Sequence, residues 1–271
     1  MPELPEVETI ARGLAKRVTG DVIESVWLGS KPEPLKSPAE HIVKTLEGAR
    51  IERVGRMGKH IVFELTAKGP SRKAQWIVHL GMTGQMLVCS PNAEIEKHTH
   101  AIAKLKSGRE LRFVDPRRFG RLSVATNGDF QTVGVEPLDV DLARFLQLFR
   151  GRKTPIKSAL LNQKLLRGVG NIYADESLFR AAIRPRRRAS TITREQLGKL
   201  YRSVRQVLKE AIKLGGSSVS DYVDSEGKEG FFQLRHRVYG REGEPCLACG
   251  TPIKRVVIAG RSSHYCPQCQ K

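Results

Sequence analysis

The chain has no apolar run approaching the ~18 residues that suggest a membrane-spanning helix. Its amino terminus also lacks a basic stretch followed by an apolar one. Neither a membrane span nor a secretory leader is therefore expected. Aromatic residues are scarce, at 6% of 271 residues, so aliphatic side chains must fill the core. Acidic residues are in deficit, with 28 Asp and Glu against 47 Lys and Arg, for a net charge of +19. The excess is uneven: 21 basic against 15 acidic in residues 1–135, and 26 against 13 in residues 136–271. This favours a polyanionic partner, nucleic acid first, because each Lys or Arg at a phosphate releases condensed counterions. A solvated basic surface is the alternative. Cysteine is also sparse. Cys89 stands alone, and the other four form two CxxC pairs near the carboxyl end. Without an export pattern, such pairs favour metal over disulfides.

Periodicity divides the chain. Residues 5–18 read as an amphipathic helix, with Val7, Ile10, Ala11, Leu14 and Val18 at helical spacing and Pro5 in the first turn. From Val22 to Val124 the pattern becomes short strands: "VIESVWL", "RIERVGRMGKHIVFEL", "AQWIVHLGM", "HAIAKLKSGRELRFVD" and "GRLSVA". These predict a sandwich or barrel. "GVEPLDVD" reads as a linker, followed by helical patterns at 141–150, 155–166, 172–182 and 193–213. Thr193 and Gln196 fit a capping box. The Gly/Ser-rich stretch 214–232 is expected to be mobile.

The sequence "CLACGTPIKRVVIAGRSSHYCPQC" sets Cys246, Cys249, Cys266 and Cys269 at a four-thiolate spacing. Four thiolates close the coordination shell, so one structural zinc is expected, with His264 a packing or surface residue. The intervening stretch predicts a hairpin turning at "AGRSS". Arg261 at its tip is a phosphate or groove probe, or simply an exposed arginine. In "LLRGVGNIYADE", Gly168, Gly170 and Asn171 precede a helix whose first N–H groups can hold a phosphate. A plain helix cap fits equally. The nearby Arg150, Arg152, Lys153 and Lys157 favour phosphate. The opening "MPELPEVETI" places Glu3, Glu6 and Glu8 near a helix start, where helix-dipole complementation alone would account for Glu3 and Glu6.

Together, "PELPEVET", "GKHIVFEL", "HLGMTGQM", "EKHTH", "DPRRFG", "GVGNIYADE", "LGGSS" and "YCPQCQK" run in order along essentially the whole chain. In these the chain resembles the bacterial formamidopyrimidine-DNA glycosylases. The resemblance implies an α+β fold: an N-terminal helix and β-sandwich, then a helical domain with a helix–two-turns–helix motif and a β-hairpin zinc finger. The implied divisions are 1–134 for the catalytic sandwich and 135–150 for the linker and first helix. Residues 151–235 would form the helix–two-turns–helix domain with its lesion loop, and 236–271 the finger. The implied activity is excision of 8-oxoguanine and formamidopyrimidines from double-stranded damaged DNA. The protein would act as a bacterial cytoplasmic monomer, associated with the nucleoid when bound.

The resemblance also assigns residues. Pro2 is the nucleophile once Met1 is removed: a secondary amine attacking a sugar carbon yields a permanently charged iminium that can drive strand scission. Glu3 is the general acid and should hold its proton through burial or a nearby carboxylate. Glu6 supports the site or contacts the damaged nucleotide. Lys59 serves the first elimination, and Arg261 the second. Met82, Arg117 and Phe119 fill the void left by the everted base, although on composition alone they read as core strand and surface charge. His79, His98, Arg152 and Asn171 complete the DNA contacts. The sequence departs from the family pattern at Thr99, where an acid is expected, and at the proline of "KTPIK". Endonuclease VIII, the pyrimidine-specific sister enzyme, is one rival reading. A non-catalytic zinc-finger DNA-binding protein is another.

Overall fold

A computed structural model of the chain describes residues 1–67, 73–126, 130–218, 224–225 and 227–271. It divides into two units: Met1–Gln131 with Gly215–Gly230, and Thr132–Leu214 with Phe231–Lys271. The described part of Gly215–Gly230, which the resemblance places in the helix–two-turns–helix domain, thus clusters with the amino-terminal unit.

The first unit opens with α1 (Leu4–Val18), whose Leu4, Val7, Ile10, Ala11, Leu14 and Val18 are buried. Strand β1 (Ile23–Leu28) follows, then helix α2 (Ala39–Leu46). Seven strands complete the sandwich: β2 (Arg50–Met57), β3 (His60–Thr66), β4 (Lys73–His79), β5 (Gln85–Cys89), β6 (Thr99–Leu105), β7 (Glu110–Val114) and β8 (Arg121–Thr126). They form two four-stranded sheets, ordered β2-β3-β4-β8 and β1-β6-β7-β5. One core joins them with α1 and α2, built on residues such as Phe63, Trp76, Phe113, Ile51 and Leu122. Phe63 and Trp76 stack at 5.0 Å.

The strand reading omitted two of these elements. Helix α2 is two turns long and buries only Ile42 and Leu46, too short a stripe to register as a period. Strand β5 follows the loop 80–84 so closely that it reads as a continuation of β4.

The second unit contains α3 (Leu142–Phe149), α4 (Ile156–Leu161), α5 (Asn171–Arg180) and α6 (Arg194–Lys213). The expected capping box is present: the Thr193 hydroxyl accepts from the Gln196 N–H at 3.2 Å. Helix α4 stops five residues short of its expected end, because Asn162 takes an extended conformation. The unit closes with the hairpin β9 (Lys254–Ile258) and β10 (Arg261–Tyr265). Ala259 and Gly260 connect them at φ 48° and 73°, the two-residue turn that matches strand twist. The expectation of mobility over 214–232 falls partly on residues 219–223 and 226, outside the described residues.

Candidate active site and nucleic-acid interface

The start of α1 brings the predicted chemistry together. Pro2 is buried. Glu3, Glu6 and Lys59 are 4%, 2% and 8% exposed. The Glu6 carboxylate accepts from the Glu3 N–H and, through its other oxygen, from the Ser217 N–H, each at 2.8 Å. The second bond requires Gly216 at φ +86°, because a Cβ there would stand 2.8 Å from Glu6 Oε1. The terminal amine of Met1 is pulled below its ordinary value by burial, with Lys59 and Arg117 adding to the effect and Glu3 and Glu6 opposing it. The amino terminus therefore senses four predicted site residues at once.

Lys59 occupies the two-residue turn joining β2 to β3, closed by the Met57–His60 pair. Two residues that sequence reasoning left unassigned hold this turn. Arg56, with a side chain 7% exposed, donates to the Gly58 carbonyl at 3.0 Å and pairs with Glu8 of α1 at 2.9 Å. Burial alone would raise the Glu8 carboxyl, but hydrogen bonds and charge from Arg12 and Arg56 hold it below the usual carboxylate range. Apart from its charge, Arg56 carried no sequence signal.

His60, His79 and Arg121 align across three strands, with the two imidazole rings 4.9 Å apart. Burial, reinforced by His60, Lys59 and Arg121, pushes His79 down to about 4, so its ring is neutral near pH 7. His79 Nδ1 accepts from the Gly81 N–H at 3.1 Å. That bond leaves the proton on Nε2, which can donate to an anion.

Met82, Arg117 and Phe119 lie on loops 80–84 and 115–120. Met82 is 41% and Phe119 52% exposed, and the Arg117 guanidinium lies 4.8 Å from the Phe119 ring centre. The loops touch at Gly81, φ +63°, where a Cβ would come within 2.5 Å of the Phe119–Gly120 backbone. Large apolar side chains are thus exposed on braced loops rather than packed as core strand. His98 is exposed on the neighbouring segment.

In the second unit, Asn171 is the first residue of α5, and its Nδ2 donates to Ser262 Oγ at 3.3 Å. Gln163 braces the glycine loop: its amide donates to Val169 O at 2.8 Å and its oxygen accepts from Gly168 N at 2.8 Å. Arg152 is exposed, with its Nε bonded to Leu148 O at 2.5 Å. Arg261 is exposed at the start of β10, beside the hairpin turn.

Lys157 corrects an expectation. It is fully buried and cannot serve a phosphate from the surface. Its Nζ pairs with Asp175 at 2.7 Å and donates to the Ser262 carbonyl at 2.6 Å. Asp175 also accepts from the His264 N–H at 2.9 Å. The pair thereby fixes β10 against α4 and α5. The adjacent Glu176 accepts from the N–H groups of Arg237, Val238 and Tyr239 at 2.9–3.0 Å. His264 is buried against Tyr239 and lies outside the thiolate cluster, as expected.

The Sγ atoms of Cys246, Cys249, Cys266 and Cys269 lie within 4.8 Å of one another. Two cross pairs are 3.9 and 3.5 Å apart. Tetrahedral zinc with Zn–S of about 2.3 Å requires sulfurs roughly 3.8 Å apart. Backbone N–H groups of Ala248 and Cys269 point at Cys246 and Cys266 sulfurs, the outer support that thiolate ligands need. The residues fit one structural zinc.

A sandwich whose first helix starts with buried Pro2, Glu3 and Glu6, followed by a helical segment and a four-thiolate finger, has the order of parts of the DNA-repair glycosylases. Family models match in the same order: Formamidopyrimidine-DNA glycosylase N-terminal domain over residues 1–122, its H2TH domain over 133–223, and the zinc finger found in FPG and IleRS over 243–271. The Formamidopyrimidine-DNA glycosylase of Solibacter usitatus is 45% identical, and the match covers 100% of both chains. A Lactococcus lactis FPG variant bound to Fapy-dG containing DNA is 34% identical with a TM-score of 0.91. MutM in complex with carbocyclic 8-oxo-G containing DNA is 35% identical with a TM-score of 0.90. Each of these structural matches covers 100% of both chains. The chain belongs to the formamidopyrimidine-DNA glycosylase family.

Proposed function

We propose that this chain is a bifunctional DNA glycosylase and abasic-site lyase. It excises 8-oxoguanine and formamidopyrimidines from duplex DNA and then cuts the strand, acting as a monomer in base excision repair. The observation that carries this reading is Pro2, buried at the start of α1 with Glu3 and Glu6 buried beside it and Lys59 buried at the β2–β3 turn of the same unit. DNA complexes of family members, with Fapy-dG in one and carbocyclic 8-oxo-G in another, support the substrate class.

The chemistry follows from the residues. Removal of Met1 turns the Pro2 nitrogen from an amide into a secondary amine. An α-amine has an ordinary pKa of about 7.7–8.0, so a fraction carries a free lone pair near neutral pH. That lone pair bonds to C1′ of the damaged nucleotide as the glycosidic bond breaks. Glu3 supplies a proton as the base leaves and the sugar ring opens, producing a C1′ iminium. Loss of a C2′ proton, aided by Lys59, expels the 3′ phosphate. Loss of a C4′ proton, with Arg261 at the phosphate, expels the 5′ phosphate. Glu6 orients the Glu3 backbone. Asn171, Arg152, His98 and the Nε2–H of His79 bind phosphates. Met82, Arg117 and Phe119 occupy the vacated stack, since a base cannot be attacked while paired.

Borohydride should reduce the iminium and leave the protein covalently attached to duplex containing 8-oxoguanine opposite cytosine. Lesion binding with no adduct would support the binding-module reading. Faster action on thymine glycol than on 8-oxoguanine would support the endonuclease VIII reading.

A further inference from the structure

Met82 stands on one loop of the first unit and Arg117 and Phe119 on another, yet one buried residue ties the two. Asp115 is fully buried. Its Oδ1 accepts from the Thr83 hydroxyl at 2.6 Å and from the Arg117 N–H at 3.3 Å, and its Oδ2 accepts from the Gly120 N–H at 2.7 Å. Its backbone engages a third segment. The Asp115 N–H donates to the His98 carbonyl at 2.9 Å, and His100 Nε2 lies 3.0 Å from the Asp115 carbonyl oxygen. Arg118 sits at φ 56°, a left-handed conformation that a non-glycine residue keeps only where its surroundings impose it. Bonds to the carboxylate at 117 and 120, on either side, impose it here.

We propose that Asp115 is a positioning residue for base eversion. Its carboxylate locks the two loops into one rigid wedge, so that Met82, Arg117 and Phe119 enter the duplex together. Pre-ordering the wedge removes the entropy cost of organising two loops at the moment of insertion. This inference rests on the proposed action on duplex DNA.

The test uses the full zinc-loaded chain. Asp115→Asn keeps size but sets an amide NH2 against the Gly120 or the Arg117 N–H. Thr83→Val deletes only the hydroxyl bond, and decides alone if the first variant does not fold. A duplex with 2-aminopurine beside the lesion reports unstacking on binding. Wild type should raise its emission. Asp115→Asn should lose most of that rise and excise 8-oxoguanine at least tenfold more slowly, and Thr83→Val about threefold more slowly. Both variants should cut a preformed abasic site within twofold of wild type, because no stacked base has to be extracted. Wild-type emission and excision in both variants would overturn the proposal. So would equal losses on the two duplexes, which would make Asp115 a general structural residue. A wild type that raises emission but cuts neither duplex would refute the catalytic reading while leaving the wedge comparison decisive.

Discussion

The two units hold their functional groups by different means. In the first, buried carboxylates receive backbone N–H groups: Glu6 fixes Glu3 and Ser217, and Asp115 fixes Arg117 and Gly120. In the second, the hairpin that carries Arg261 hangs from four thiolates and from the fully buried Lys157–Asp175 pair. The difference follows from available core. The sandwich has a large apolar cluster spanning both sheets. Among the described residues, the buried cluster at the finger consists of Val238, Cys246, Ile253 and Cys266 with Phe179 and Cys269 packed against it, too little apolar surface to hold a hairpin in place. Metal and charge replace it.

Zinc removal should expose that contrast most strongly. Structural zinc contributes on the order of 10 kcal/mol to a small thiolate module. Chelation of the full chain should abolish hydrogen-exchange protection over 238–271 and weaken DNA binding, while the sandwich strands stay protected. Retained protection in the finger would show that its core suffices.

The next largest effect belongs to the buried pair. Lys157→Met leaves Asp175 charged and uncompensated, and should cost about 3–5 kcal/mol in urea unfolding. Lys157→Met combined with Asp175→Leu should recover much of that loss. No recovery would mean that the Asp175 bond to the His264 N–H matters more than the ion pair.

A smaller effect is shared by both units. Burial pushes His79 of the first unit and His236 of the second each down to about 4. Each is lower in the folded chain than its ordinary 6.5, so the unfolded chain binds more protons within that window. Stability should be complete above pH 6.5 and fall as pH drops toward 4, by up to about 1.4 kcal/mol per pH unit per histidine. His79→Phe should flatten the profile of the sandwich, and His236→Phe that of the second unit. A profile unchanged by either would contradict the buried, neutral assignment.

The smallest effect is a control. Arg53 and Glu64 approach to 2.6 Å, but both side chains are exposed. Arg53→Ala should change stability by less than about 1 kcal/mol. A larger loss would show that charge pairing at the sandwich surface matters as much as it does at the finger.

What was legible in the sequence was what repeats or what reacts. Helix α1, the short strands between Val22 and Val124 and helix α6 follow from periodicity, and the thiolate set follows from spacing. The supports were not legible. Thr83 meets Asp115 across 32 positions and Arg56 meets Glu8 across 48, pairings set only by folding. Lys157 misled because a lysine among arginines reads as surface charge, whereas its ammonium is cancelled by Asp175 of the following helix. Glu176 likewise reads as a solvated helix residue, yet it caps the chain's approach to the finger.

The central claim is that the nitrogen of residue 2, freed of Met1, attacks the sugar. Peptide mass spectrometry of the borohydride-trapped complex tests it most directly. The account predicts a peptide beginning at Pro2, carrying the reduced sugar on its terminal nitrogen. A trapped adduct on Lys59 or another lysine, or catalytically active protein that still retains Met1, would contradict it.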